Sequence, residues 1–159
     1  MRILGIDCGY EKTGYALLES KNGRIAVLTS GLIYTQKTLK FSKRLIKYQQ
    51  ELETIINHYK PKLAFIEQLF FTNNKTTAIK VAQFQGVLIL ILSLKKIKYQ
   101  IINPKTVKKT VAGSGNADKK AIAKMLKLEL SFAEENLEDD VTDAVAIAYT
   151  GYLLNRSNK

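Results

Sequence analysis

The chain has 159 residues, 46% hydrophobic and 25% charged, enough for one globular domain with a real core, which excludes a disordered chain or a disulfide-stapled miniprotein. Its 25 Lys and Arg against 14 Asp and Glu leave a net charge of +11 and a pI near 9.7. Such an excess suits a polyanion, since each phosphate neutralised releases a condensed counterion, but composition does not separate DNA from RNA or an anionic membrane surface.

Cys8 is the only cysteine, so no internal disulfide forms and a reducing compartment is expected. The opening MRILGID lacks the parts of a signal peptide. The longest apolar run, Val87 to Leu92, is shorter than the roughly 20 residues that span a bilayer. A cytoplasmic protein without a membrane span is the expectation.

Arg2 to Asp7 predicts a buried strand. Thr13 to Ser20 and Arg24 to Tyr34 continue as strands, joined by the hairpin dipeptide Asn22-Gly23. Phe41, Leu45, Tyr48, Leu52, Ile55 and Tyr59 recur at alternating spacings of 4 and 3, the apolar stripe of a helix that ends before Pro61. Lys62 to Glu67 predicts a strand and Thr76 to Leu94 a largely buried helix. Tyr99 to Ile102 is a short strand, and Pro104 opens a helix that Gly113 terminates. A helix runs to Leu130 with Asn116 as its candidate cap, and a last helix runs from about Asp139 to Leu154. An antiparallel meander followed by alternating helices and strands predicts an α/β mixed sheet with helices on both faces, in a single domain over 1–159.

Charge is segregated along this order. From Lys95 to Lys127 there are ten lysines and one acid, Asp118; from Glu129 to Asp143 there are seven acids and no base. Two solvated helix faces would look the same, yet an acid-rich centre beside a basic flank is what cutting nucleic acid requires.

Asp7 and Glu67 each close an apolar strand. If those strands are parallel neighbours, both carboxylates emerge at one sheet edge, where open α/β sheets bind ligands. Asp140 and Asp143 are three apart on a predicted helix and share a face. Taken singly, each acid reads more readily as a turn former or a helix cap, and only the combination resists that explanation. Clustered, they would raise one another's pKa unless a cation neutralises them. An oxygen-only set suits Mg²⁺ or Mn²⁺, and the lack of a Cys/His cluster argues against zinc. Four acids around two hard cations about 4 Å apart can hydrolyse a phosphodiester, one ion activating water and the other stabilising the leaving oxygen. Asp7, on the most rigid element, is the candidate bridging ligand.

These blocks resemble the RuvC family of Holliday junction resolvases. RILGIDCGYEKTGYALLE carries Asp7, IEQLFFTNN carries Glu67, INPKTVKKTVAGSGNADKKAI is similar to the family's basic segment, and DDVTDAVAIAYT maps the last two acids onto Asp140 and Asp143. The resemblance covers almost the whole chain in the right order. Cys8 departs from the family's usual proline, a change expected to affect turn rigidity more than chemistry. Asp139 is an extra acid, expected to act as the N-cap.

The resemblance implies a ribonuclease H-like fold with a five-stranded sheet: a three-stranded antiparallel meander plus two parallel strands. It implies a Mg²⁺-dependent endonuclease of recombination and repair that cuts four-way DNA junctions by in-line attack of water, leaving 5′-phosphate and 3′-hydroxyl ends. Lys108 and Lys119 match family residues at the phosphate-binding or catalytic surface, and Phe70 matches a position that stacks on unpaired bases. Lys105, Lys109 and Lys120 flank the centre in sequence as further candidate phosphate contacts, and Phe71 as a second aromatic contact; solvation of the lysines and core packing of one ring are the alternatives. Gly113 and Gly115 allow a tight loop between helices. His58, near a helix C-terminus, is expected to be structural.

A two-fold junction cut on two strands suits a C2 homodimer, and the outer face of the Thr76 to Leu94 helix is its candidate interface. The family's partner is the RuvAB branch-migration complex. Among rivals, an ATP-binding domain of the actin and hexokinase type needs a second domain that 159 residues do not hold. A YqgF-like RNA-processing nuclease, a transposase-like fragment and a catalytically silent junction-binding protein are the nearer ones.

Overall fold

A computed structural model describes residues 1–69, 75–130 and 137–157. The elements in chain order are β1 (Arg2–Cys8), β2 (Lys12–Lys21), β3 (Arg24–Tyr34), α1 (Phe41–Tyr59), β4 (Leu63–Glu67), α2 (Lys75–Leu94), β5 (Lys98–Ile102), α3 (Pro104–Ala112), α4 (Lys119–Glu129) and α5 (Asp139–Ser157). The strands form one sheet in the order β3-β2-β1-β4-β5, antiparallel through the meander and parallel from β1 to β4 and β5. The meander turns at Asn22 and Gly23, both at positive φ, as that dipeptide predicts.

Strand alternation divides the interior into two cores. Leu4, Ile6, Cys8, Leu17, Ala64 and Ile66 point to one face and pack under Tyr48, Leu52 and Ile56 of α1 and Phe84, Leu88, Ile91 and Leu92 of α2. Ile3, Ala16, Leu18, Phe65 and Ile102 point to the other, beneath α5, with α3 and α4 outside it. Helix α5 lies almost against the sheet because small residues meet there: Ala144, Ala146 and Ala148 are buried on it. A Cβ added to Gly14 would overlap the Asp140 carbonyl, so only glycine lets the start of α5 approach β2 this closely.

Three local expectations are corrected. Asp118, not Asn116, caps α4: its carboxylate accepts from Ala121 N at 2.8 Å, and an ionised acceptor at a helix N-terminus is the stronger one. Asp139 is the first helical residue of α5 rather than its cap; the carbonyl of Glu138 accepts from Thr142 N at 2.9 Å and so holds the capping position. On α1 the fully buried line is Arg44, Tyr48, Leu52 and Ile56, while Phe41, Leu45, Ile55 and Tyr59 are only partly buried. The helix is rotated to bring an arginine inward.

Helix α2 is less buried than expected. Ile79 and Leu90 are each 57% exposed and Leu94 is 71% exposed, on the side away from Phe84 and Leu88. Thr76–Leu94 has a mean hydropathy of 1.7, long and apolar enough by composition to cross a bilayer, which counting uninterrupted apolar residues had not shown. His58 is exposed in the last turn of α1, edge-on to Tyr59, at the end of the helix remote from the acids.

Candidate active site

Parallel pairing of β1 with β4, Ile6 opposite Ile66, brings the C-terminal ends of both strands to one sheet edge. Asp7 and Glu67 therefore stand side by side there. Both belong to the alternation that faces α5, and α5 delivers Asp140 and Asp143 from its first two turns. Asp7 lies within electrostatic reach of Glu67, Asp140 and Asp143, so the four acids expected from the sequence share this edge. The carbonyl of Glu67 is held by Gln85 Nε2 at 3.0 Å, a contact from α2 with no sequence signature.

Electrostatics show how closely they are coupled. Burial, reinforced by the charges of Glu67, Asp143 and Asp140, pushes the Asp7 carboxyl up to about 7, with Lys119 opposing. Burial and then the Asp143 charge push Glu67 up to about 7 as well, against the pull of Lys108 and Lys119. Asp143 is raised by burial, Lys119 lowers it, and Asp139 and Asp140 add to the rise. Asp143 thus acts on both strand-end acids. The adjoining Cys8 thiol is buried 3.9 Å from Tyr48 Oη and pushed up to about 12 by desolvation, which removes it from the chemistry.

A cavity of about 130 Å³ opens beside the acids, lined by Glu67, Asp143, Lys108, Lys119, Pro104, Val107, Ile122 and Ala146. Its polar wall is two acids facing two lysines. Lys119 Nζ lies 3.2 Å from Asp143 and 3.2 Å from Asp139, so the extra acid is engaged by a lysine of α4. Among the described residues no three Asp, Glu, His or Cys side chains converge tightly enough to enclose a metal ion in this arrangement. The donor chemistry nevertheless fits a hard cation: oxygen-only ligands, partly desolvated, each raising the others' affinity for positive charge.

The remaining candidates divide. Lys119 pairs with Asp139 and Asp143, and Lys108 lines the cavity and acts on Glu67 through its charge; Lys105, Lys109 and Lys120 are exposed on α3 and α4, and among the described residues no ion pair joins them to the acids. Gly113 ends α3 in the left-handed region, and Gly115 follows in the loop to α4. Phe70 and Phe71 lie outside the described residues. Two groups escaped sequence reasoning: Lys12, whose Nζ pairs with Glu138 at 2.7 Å and ties β2 to the start of α5, and the Tyr10–Arg44–Lys80 cluster on the opposite face.

A family model described as crossover junction endodeoxyribonuclease RuvC matches residues 3–151. The chain belongs to the RuvC family. Relatives bearing that same description include one from Brachyspira hyodysenteriae, 45% identical over 157 residues, covering 98% of this chain and 96% of the relative. Another, from Caldicellulosiruptor saccharolyticus, is 42% identical over 158 residues, covering 99% of this chain and 95% of the relative. The fold matches that of T. thermophilus RuvC in complex with Holliday junction substrate, with a TM-score of 0.93 at 23% identity over 99% of this chain and 96% of that one. The mixed sheet with its flanking helices is the ribonuclease H-like arrangement of the family.

Proposed function

We propose that this chain is a structure-selective endonuclease that resolves four-way (Holliday) DNA junctions by paired, metal-dependent phosphodiester hydrolysis, in homologous recombination and repair. The observation that carries the reading is the coupling of Asp7, Glu67 and Asp143 at one sheet edge beside Lys108 and Lys119. Membership of a family described as crossover junction endodeoxyribonucleases supports it, and so does the net charge of +11. Residues 1–159 act as a single nuclease domain.

Asp7, Glu67, Asp140 and Asp143 would hold two Mg²⁺ ions, for which Mn²⁺ can substitute. Bound there, such cations lower the pKa of an attacking water and stabilise the leaving oxygen. The residues of the chain do the rest. Glu67 and Asp143, at the cavity, orient the water for attack in line with the 3′ oxygen, leaving 5′-phosphate and 3′-hydroxyl ends. Lys108 and Lys119 place positive charge where the phosphate gathers negative charge. Lys105, Lys109 and Lys120 supply outlying phosphate contacts, and Phe70 and Phe71 stack on bases unpaired at the crossover.

Two cuts related by two-fold symmetry call for two copies. The exposed line Ile79, Leu90 and Leu94 of α2 is the surface through which a C2 homodimer would form. The dimer would act with a RuvAB branch-migration complex in the cytoplasm.

The test uses an end-labelled synthetic four-way junction and a matched linear duplex, with Mg²⁺ or EDTA, alongside Asp7→Asn. Paired symmetric nicks in the junction alone, lost with EDTA and in the variant, establish the activity. Junction binding without cleavage would reduce the protein to a binding module, and cleavage confined to structured RNA would move it to the RNA-processing relatives.

A further inference from the structure

Arg44 is only 1% exposed, although it carries a full charge. A buried guanidinium is ordinarily matched to a carboxylate, because desolvating it alone is costly. Here its donors go to neutral oxygens. Nη2 donates to the Tyr10 carbonyl and to Thr35 Oγ1 at 3.1 Å, and Nε donates to Thr35 Oγ1 at 3.3 Å. Its charge is met by ring faces, with Cζ 4.2 Å from the Tyr10 centroid and 5.5 Å from that of Phe84. Glu11, whose field reaches Arg44, is taken by Lys37 and by Tyr34 Oη.

Lys80, on α2, comes to the same tyrosine. Its Nζ lies 5.1 Å from the Tyr10 centroid and 3.4 Å from the hydroxyl. Among the described residues neither Lys80 nor Arg44 forms an ion pair. The hydrogen bond from Lys80, followed by the contribution of Arg44, holds the Tyr10 hydroxyl below its ordinary range, as a local positive field should. Two cations thus converge on one half-exposed phenol, with positive charge in excess.

The position of this cluster identifies what it faces. Tyr10 follows Asp7 by three residues, so at most ~11 Å of chain separates them. That is about three steps of a DNA strand at roughly 3.4 Å each. The cluster sits at the sheet edge that carries the acids but on the α1 and α2 side, whereas Asp140, Asp143, Lys108 and Lys119 lie on the α5 side. A strand laid across the edge for cutting reaches both.

We propose that Tyr10 and Lys80 form a second nucleic-acid backbone contact across the sheet edge from the acids, with Arg44 as the positioning residue that holds Tyr10 in place. The ligand is a phosphodiester within about three nucleotides of the one that is cut. The Lys80 ammonium pairs with a phosphate oxygen and the Tyr10 hydroxyl donates to it, replacing the Lys80–Tyr10 hydrogen bond. This inference rests on the junction-cleaving reading above.

The test is equilibrium binding of a labelled four-way junction in EDTA over a range of salt, for the full chain and for Lys80→Met, Tyr10→Phe and Arg44→Lys. Loss of one phosphate contact lowers the slope of log K against log[salt] by ~0.9 and affinity several-fold, which is the result expected of Lys80→Met. Tyr10→Phe and Arg44→Lys weaken binding several-fold with the slope unchanged, since neither removes a charge. A folded Lys80→Met protein with wild-type affinity and slope overturns the contact and leaves the junction-cleaving reading intact. If the wild-type chain does not prefer the junction to a duplex, that reading falls and this inference falls with it.

Discussion

Lys119 Nζ sits 3.2 Å from the carboxylate of Asp143, an acid that also acts electrostatically on Asp7 and Glu67. One lysine of α4 therefore supplies counter-charge to a centre built from three other elements. Its side chain is 63% exposed, so the ion pair itself adds little stability. Its value is in the field that it places over the cavity.

Lys119→Met should leave the fold intact and lower kcat by about 100-fold, the scale of removing one charge-stabilising donor. Asp143, without the cation that lowers it, rises further. A carboxylate must be ionised to act, so the rising limb of the pH–rate profile moves to higher pH. Single-turnover rates across pH check this, and an unchanged profile would remove Lys119 from the active centre.

The raised acids make a prediction about stability. Asp7 and Glu67, both near 7 when folded, keep their protons while the unfolded chain loses them at about 4. The folded state then binds more protons, so the contribution to stability is complete below the unfolded values and is lost as pH rises through 7. The metal-free protein should melt at a lower temperature at pH 8 than at pH 5. Mg²⁺ should raise the melting temperature at pH 8 far more than at pH 5, because only ionised acids bind it. Equal shifts at both pH values would dissociate these acids from the metal.

Asp7→Asn separates activity from stability. It removes a desolvated charge repelled by Glu67, Asp143 and Asp140. Because the proposed site would lose one of its four metal-holding carboxylates, cleavage should fall by at least about 100-fold. The metal-free variant should melt higher than the wild type at pH 8 and by progressively less as pH falls, the two converging only below about 4, where Asp7 is protonated in the unfolded chain as well. A lower melting temperature at pH 8 would mean that Asp7 is structural.

Gly14→Ala tests how α5 is seated. The new methyl would meet the Asp140 carbonyl, which is backbone and has nowhere to go. Thermal or denaturant unfolding should show a loss of about 1–3 kcal/mol, the usual cost of overpacking. Because the displaced atoms belong to Asp140, cleavage should drop by more than the unfolded fraction explains.

Leu90→Glu addresses assembly. Leu90 is 57% exposed on α2, so a charge there barely affects the monomer. For the homodimer proposed above, light scattering should show a shift from dimer to monomer, and paired nicks in the junction should become single ones. A Leu90→Glu protein that remains dimeric would place the interface elsewhere.

Much of this was legible in the sequence for reasons that are local. The apolar runs ending in Asp7 and Glu67 are strands whatever surrounds them, and Asn22-Gly23, Pro104 and Gly113 act through their own φ preferences. The three-residue spacing of Asp140 and Asp143 places both on one helical face at once. The misplaced caps have a different origin. Asn116 and Asp118 are both good caps by residue type, and at α5 Asp139 is a better one than Glu138, yet the choice depends on where the packed helix must begin.

The sequence by itself determined which carboxylates could form the centre, the element that carries each, and the excess of positive charge that suits a polyanion, because residue type, periodicity and net charge are properties of the chain. The tertiary structure alone decided that Lys119 bridges Asp139 and Asp143, that Gly14 seats α5, and that Arg44 turns inward against Tyr10 without a carboxylate. Each of those depends on the distance between elements far apart in sequence. Burial, close approach and the field at a carboxyl group are set by what packs against it, and hydrophobic periodicity records only that some face of an element is covered.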